Sequence, residues 1–274
     1  MTSRPSDLRA RVAELDWYHT FDLPGGVTTP GLFDHRTAVQ RLLLPDDLSG
    51  LRCLDAASAD GFFAFELRRR GAAEVVSIDL DDPARRDWQG PPGIGARFVA
   101  DRGRARAAFD LVQEVTGLDV ERRDLSVYDL SPTDVGTFDL VFMGNVLLHL
   151  RSPQEALHAI RSVTRGWFVS YEAITLADTV VHPRAAVARL WDGPPASRWW
   201  TPNLRGHSVL IEAAGFRVLR QRAPLRQPFG PGRKRALGPA PRSLRQVVAR
   251  LMVTLGVPSS CVVAVPEPLG PTVE

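Results

Sequence analysis

The sequence predicts an α/β protein, a doubly wound, mostly parallel seven-stranded sheet. Three observations carry the prediction. Apolar runs of strand length alternate with helix-like segments from Leu51 to Val265, the order that yields parallel sheets with helical crossovers. Phe138 to Met143 is a hydrophobic run that fits a strand covered on both faces. Residues 51–82, LRCLDAASADGFFAFELRRRGAAEVVSIDLDD, contain one complete βαβ unit.

Taken in order, residues 1–40 form an N-terminal flap carrying Trp17, Tyr18, His19, Phe21, Phe33, His35 and Arg36. Its Pro24-Gly25-Gly26 and Pro30-Gly31 turns argue against a long helix. The main domain spans 41–270. Its first strand is Leu51 to Leu54, followed by a turn of small residues, Asp55 to Gly61, and an amphipathic helix, Phe62 to Arg70. Gly71 stops that helix, and a second strand, Val75 to Ile78, ends in Asp79. A third strand, Val120 to Leu125, leads into Ser126-Val127-Tyr128-Asp129-Leu130. The fourth, Phe138 to Met143, opens into Gly144-Asn145-Val146-Leu147-Leu148-His149. Gln154 to Val163 reads as a helix and Trp167 to Tyr171 as a fifth strand. Asn203 to Phe216 is helical and broken by Gly215, Arg217 to Leu219 is a strand, and Cys261 to Val265 is the last apolar run.

The βαβ unit points to an adenosine-containing ligand. Small side chains in the first turn let backbone approach a ligand closely. Asp79 stands 24 residues after Asp55, where an acid can grip a ribose diol. A dinucleotide site needs GxGxxG, because pyrophosphate rests on the helix N-terminus. Here the turn is Asp55-Ala56-Ala57-Ser58-Ala59-Asp60-Gly61, with one glycine and an added carboxylate. Asp60 would repel a pyrophosphate and attract a sulfonium or an amino group. The sign of that charge favours S-adenosylmethionine over NAD.

The order of motifs resembles the class I S-adenosylmethionine-dependent methyltransferases, Rossmann-like in fold. Within them it is similar to the branch of the wobble-uridine carboxymethyl/methoxy tRNA methyltransferases. The resemblance runs from about Trp17 to Pro266. It rests on Gly26-Val27 ahead of Phe33-Asp34, the Asp55–Gly61 turn, Val146-Leu147-Leu148-His149 with Arg151-Ser152-Pro153, and Pro202 with Ala214-Gly215-Phe216. It implies Asp55, Ala57 and Gly61 at the methionine end, Asp79 at the ribose, Ser126 and Val127 at the adenine, and Gly144 at the fourth-strand tip. Asp60, Leu80 and Asn145 complete the predicted cofactor set. Two alanines, Ala57 and Ala59, replace the usual glycines. Relatives that use a carboxylated cofactor hold its extra carboxylate with a lysine, a tyrosine and an arginine. Leu148 and about Ser260 stand at the tyrosine and arginine positions, and Lys234, the one lysine, lies far from the third. A buried carboxylate without partners is costly, so unmodified S-adenosyl-L-methionine is the expected cofactor.

The 274 residues suffice for one fully cored domain. No apolar run reaches about 18 residues and no signal-peptide pattern is present, which reads as a soluble, cytoplasmic protein without membrane contact. Cys53 and Cys261 read as buried small hydrophobes, and no His/Cys cluster has metal-ligand spacing. Nine arginines and Lys234 fall between Arg217 and Arg250 with no acid. This basic insertion, about 220–258, reads as an arginine-rich loop or as a phosphate-binding arm, with the loop favoured. Leu244 to Leu255 shows helical apolar spacing.

The stretch of about 172–202 holds Glu172, His182, Trp191, Trp199 and Trp200, with a Gly193-Pro194-Pro195 turn, and reads as a substrate lid. Tyr18 and Phe33 would face it from the flap. An apolar pocket with a few polar groups suits a small organic substrate better than a tRNA. His149, on the rim of the cofactor site, is the first catalytic candidate, followed by His19 and His182 on the two flaps. Methyl transfer demands positioning above all, so a dedicated base is optional. The expected activity is O-methylation of a small metabolite in specialised biosynthesis. The alternatives are a wobble-uridine-type tRNA methyltransferase and a cofactor-binding relative that catalyses a reaction other than methylation. Oligomeric state stays open.

Overall fold

A computed structural model of the chain describes residues 5–91, 93–94, 103–193, 197–233 and 256–268. Most of the basic insertion, Lys234 and the predicted 244–255 helix included, lies outside the described residues, as do Pro194 and Pro195. Helix α1 (Pro5–Ala13) and a two-residue hairpin, β1 (Asp22–Leu23) with β2 (Val27–Thr28), precede the main sheet. The βαβ unit is β3 (Arg52–Ala56), α2 (Phe62–Arg69) and β4 (Glu74–Asp79). Then come α3 (Arg104–Thr116), β5 (Glu121–Asp124), α4 (Pro132–Val135), β6 (Phe138–Gly144), α5 (Pro153–Val163) and β7 (Thr164–Ala173). The lid region holds α6 (Leu176–Val181), β8 (Ala188–Leu190) and β9 (Trp200–Pro202), and α7 (Leu204–Glu212), β10 (Phe216–Gln227) and β11 (Val257–Pro266) complete the fold.

The seven-stranded sheet runs β10-β11-β7-β6-β3-β4-β5. Its five inner-order strands from β7 to β5 are parallel, and β11 joins antiparallel to both β7 and β10. Two-residue periodicity sends alternate side chains to opposite faces. Cys53, Val75, Leu140 and Phe142 therefore enter one core with α2 and α3, while Leu54, Val76, Val141 and Met143 enter the other with α5 and α7. This is why Phe138–Met143 reads as a nearly unbroken apolar run. Both cysteines are buried and free, and burial pushes each thiol up to about 12.

Strand lengths differ from the sequence reading at the antiparallel edge. Arg217–Leu219 is the start of a twelve-residue strand, β10, because pairing with β11 recruits polar residues that have no apolar alternation of their own. Helix α3 buries only Ala108, Phe109, Leu111 and Val112, a stripe too short to stand out beside its flanking arginines. No helix among the described residues is long and apolar enough to cross a membrane.

In the sheet, β3 and β6 are neighbours, while the chain leaves β3 toward β4 on the opposite side. Ligands of doubly wound sheets bind at such a switch point, beyond the strand C-terminal ends. Ala56 and Met143 pair there, and the loops that follow them form the candidate site.

Candidate active site

A cavity of about 690 Å³ opens at this point, within the size range of small-ligand sites. Its floor is the β3–α2 turn: Asp55, Ala57, Ser58, Ala59 and Asp60 all line it. The turn keeps a glycine-like backbone without the glycines. Ala57 (φ 58°) and Ala59 (φ 51°) both sit in the left-handed region, at a cost of roughly 1–2 kcal/mol each for an L-residue. Gly61 (φ 85°) caps α2, where any Cβ would strike the Phe109 and Phe65 rings. It closes the turn and does not itself line the cavity.

Asp55 is 1% exposed, and its Oδ2 has no partner among the described residues. Burial pushes its carboxyl up to about 8, against the pull of the Ala64 amide. Asp79 lines the cavity beside Leu80. Its two oxygens accept from the Ala59 amide (2.5 Å) and the Leu80 amide (2.6 Å), which leaves lone pairs for a diol. Ser126 and Val127 lie in the wall after β5, together with Leu125 and Tyr128. The Tyr128 hydroxyl donates to Asp87 Oδ2 at 2.5 Å, and Asp87 also accepts from the Arg151 amide. Gly144, Asn145 and Val146 line the cavity at the end of β6. Asn145 also adopts a left-handed φ, 54°. Glu172 stands behind this loop: its Oε1 accepts from the Val146 and Leu147 amides (2.9 and 3.2 Å), and burial pushes it up to about 8. It supports the wall from outside the cavity lining.

The flap supplies the opposite wall. Tyr18 and His19 line the cavity. Asp60, which the sequence aims at a cationic ligand, is engaged by this segment: Oδ2 accepts from the Tyr18 and His19 amides, both at 2.8 Å, and Oδ1 meets His19 Nδ1. Gly31 lets the chain fold back here, since a Cβ on it would overlap the His19 and Thr20 backbone. Burial, helped by the Asp60 charge, holds the Tyr18 phenol above its usual range. Phe33 stays behind Tyr18, packed on Phe229, outside the cavity lining.

On the lid side, His149 lines the cavity and its Nδ1 donates to the Ser197 carbonyl. Burial, with the Arg198 and Arg86 charges, brings it down to about 4. His182 is exposed at the C-terminal end of α6 and is not brought to the cavity. Trp191, Trp199 and Trp200 also stand outside the lining. Trp199 donates to the Asp87 carbonyl, its amide donates to the Leu148 carbonyl, and the Trp191 carbonyl accepts from Gln89. The tryptophans brace the lid against the 83–89 and 147–151 loops. Sequence reading passed over that 83–89 loop, whose Arg85, Arg86 and Asp87 line the cavity. Its place directly after β4 was the available signal, because ligands gather beyond strand C-terminal ends.

The residues present fit an adenosyl sulfonium cofactor. Asp55 offers an unpartnered buried oxygen to a cationic amino group, and Asp79 offers spare lone pairs to a ribose. The alanine turn leaves room for backbone approach. At the two positions compared for an additional carboxylate, Leu148 is a buried apolar residue outside the lining, and the Ser260 hydroxyl is held by His207 at 2.5 Å.

Residues 54–168 match the family described as Methyltransferase domain. The chain is 26% identical over 178 residues to a tRNA U34 carboxymethyltransferase of Idiomarina loihiensis, covering 63% of this chain and 47% of that protein. A tRNA U34 carboxymethyltransferase of Pseudomonas paraeruginosa is 25% identical over 174 residues, covering 62% and 46%. The chain thus spans about half the length of the curated relatives it matches. In fold it is similar to the N-terminal domain of EvdMO1, crystallised in the presence of SAH and D-fucose, with a TM-score of 0.57 over 97% of each chain at 16% identity.

Proposed function

The chain carries a class I S-adenosylmethionine-dependent methyltransferase domain, and we propose that it methylates a hydroxyl group of a small organic metabolite, as a step of specialised biosynthesis. One observation carries the choice of a small substrate: the floor of the cavity lies between two walls, the flap at Tyr18 and His19 and the lid side at His149 and Ser197. A cavity of about 690 Å³ shared with a cofactor suits a molecule of sugar or phenol size. The fold likeness to a domain crystallised with D-fucose supports the same substrate size.

S-adenosyl-L-methionine supplies an electrophilic methyl group on a positively charged sulfur. This chain's own residues have three tasks around it. Asp55 and Asp79 orient the cofactor's two ends, and the flap and lid exclude water. The cavity wall holds the acceptor oxygen in line, where orientation is worth about 7–11 kcal/mol. The proton of the hydroxyl must also leave, and a positioned base adds about 10²–10⁴-fold.

A tRNA wobble-uridine substrate is the second reading. The curated relatives favour it, as do the exposed Arg217 and Arg220 on the outer strand β10. Incubating the full chain with S-adenosylmethionine and either unmodified tRNA or a panel of phenols and hexoses tests the proposal, with S-adenosylhomocysteine as the readout. Turnover with a small hydroxyl compound and none with tRNA is the expected result. Turnover with tRNA alone, abolished by neutralising Arg233, Lys234 and Arg235, would replace it.

A further inference from the structure

We infer that His19 is the catalytic base of this site and that Asp60 is its positioning residue, an assignment that rests on the hydroxyl-methylation reading above. His19 lines the cavity with Asp55, Ala57 and Ala59. Its Nδ1 faces Asp60 Oδ1. Asp60 is 1% exposed, and its other oxygen is pinned by the Tyr18 and His19 amides. The carboxylate therefore cannot turn away, and Nδ1 carries the ring's proton and donates it to Asp60. A neutral imidazole with Nδ1–H presents a bare Nε2. The hydrogen bonds of His19 among the described residues run through its amide, its carbonyl and Nδ1, and none runs through Nε2.

The ring is also fixed in orientation. Tyr18, His35, Phe62 and Phe63 surround it with centroids 4.8, 5.2, 5.4 and 5.7 Å away. Of these neighbours, His35 is held well below the ordinary range by burial and by its closeness to His19, so it is uncharged. Asp60 is the carboxylate in direct contact, and Glu172, Arg86 and Arg198 act on this corner through Tyr18. His149 lacks such an arrangement. Its Nδ1 faces a carbonyl, and its charged neighbours are Arg198 and Arg86, which oppose a positive imidazolium. A base must carry that charge in the transition state, and a carboxylate partner stabilises it where arginines do not.

The proton balance is simple. The substrate oxygen forms its bond to the methyl carbon as the carbon–sulfur bond breaks, and the hydroxyl proton passes to His19 Nε2. The products are a methyl ether and S-adenosylhomocysteine, and His19 returns its proton to solvent.

The test uses the full chain with S-adenosylhomocysteine bound and ¹⁵N-labelled histidine. Wild type should show His19 as the Nδ1–H tautomer, and Asp60→Asn should mix or invert it. Calorimetric affinity for S-adenosylhomocysteine should stay within about threefold in His19→Gln and His19→Asn, since neither group holds the cofactor. With the phenol or hexose turned over fastest by wild type, His19→Gln should lower kcat by about 10²–10⁴-fold and remove the rise of rate with pH. An Nε2–H tautomer in wild type, or a His19→Gln rate within about threefold of wild type with an unchanged pH profile, overturns the assignment and leaves the methyltransferase reading standing. Failure of wild type to bind S-adenosylhomocysteine would instead bring down that reading, and this inference with it.

Discussion

The two walls of the cavity are built by different physics. On the flap side Trp17, Phe21, Leu23 and Val27 share one apolar core with Phe62, Phe63 and Phe65 of α2. The lid side hangs on hydrogen bonds, from Trp199 to Asp87, from Trp200 to Arg151 and from His149 to Ser197. It also leaves Val180, Val181 and Leu190 exposed at 78%, 67% and 56%. A wall made of buried rings is rigid as long as the domain is folded, because opening it would expose that core. A wall held by individual polar contacts can open locally. The flap is thus the more rigid of the two walls, and the lid side the one that local opening moves first.

Truncating one aromatic on each side tests the contrast most severely. Trp17→Ala should cost about 3–5 kcal/mol in denaturant unfolding, as for other buried tryptophans. Trp199→Ala should cost only about 1–2 kcal/mol, the scale of one hydrogen bond and some partial burial. Equal losses would erase the distinction. At the shared floor, Asp79→Ala should weaken S-adenosylhomocysteine binding by about 1.5–3 kcal/mol through a lost charge-assisted bond, and unchanged calorimetric affinity would remove Asp79 from the ribose site.

A third prediction concerns pH. Burial raises Asp55 from 3.8 to about 8 and Glu172 from 4.5 to about 8. A folded-state value above the unfolded one means that stability is fully present below the unfolded value and is lost as pH rises through the folded one. The free chain should therefore lose stability between about pH 4 and pH 8, by up to roughly 1.4 kcal/mol per pH unit for each group and about 2.7 where both act. Asp55→Asn should flatten this dependence, measured by Tm across that range, and should weaken cofactor binding. A free-chain Tm that climbs from pH 5 to pH 8 would contradict it. The smallest effect belongs to the turn: Ala57→Gly or Ala59→Gly should stabilise by roughly 0.5–1 kcal/mol, the left-handed strain relieved less the added chain entropy of glycine. Loss of stability there would show that the alanines pack better than they strain.

The legibility of this chain in its sequence divides along the same line as its walls. The β3–α2–β4 corner was readable because its signals are local: apolar periodicity, a run of small residues, and an acid at each strand end. The family resemblance placed Asp55, Ala57, Gly61, Asp79, Ser126, Val127 and Gly144 at the cofactor, and all but Gly61 line the cavity. The lid tryptophans read as pocket residues because aromatic content says nothing about direction. Their indoles brace neighbouring loops. Asp60 read as a ligand for positive charge because no local rule shows that a segment 41 residues earlier takes up its oxygens.

Sequence by itself determined the doubly wound sheet, the small-residue corner after its first parallel strand and the small set of histidines able to carry a proton. Those follow from spacing within segments of a few residues. Only the tertiary structure decided which histidine meets a carboxylate, and that Asp60 joins the flap to the floor. It also decided that the 83–89 loop completes the wall. Such contacts join residues far apart in the chain, and the burial that fixes them arises only when the two cores close around the sheet.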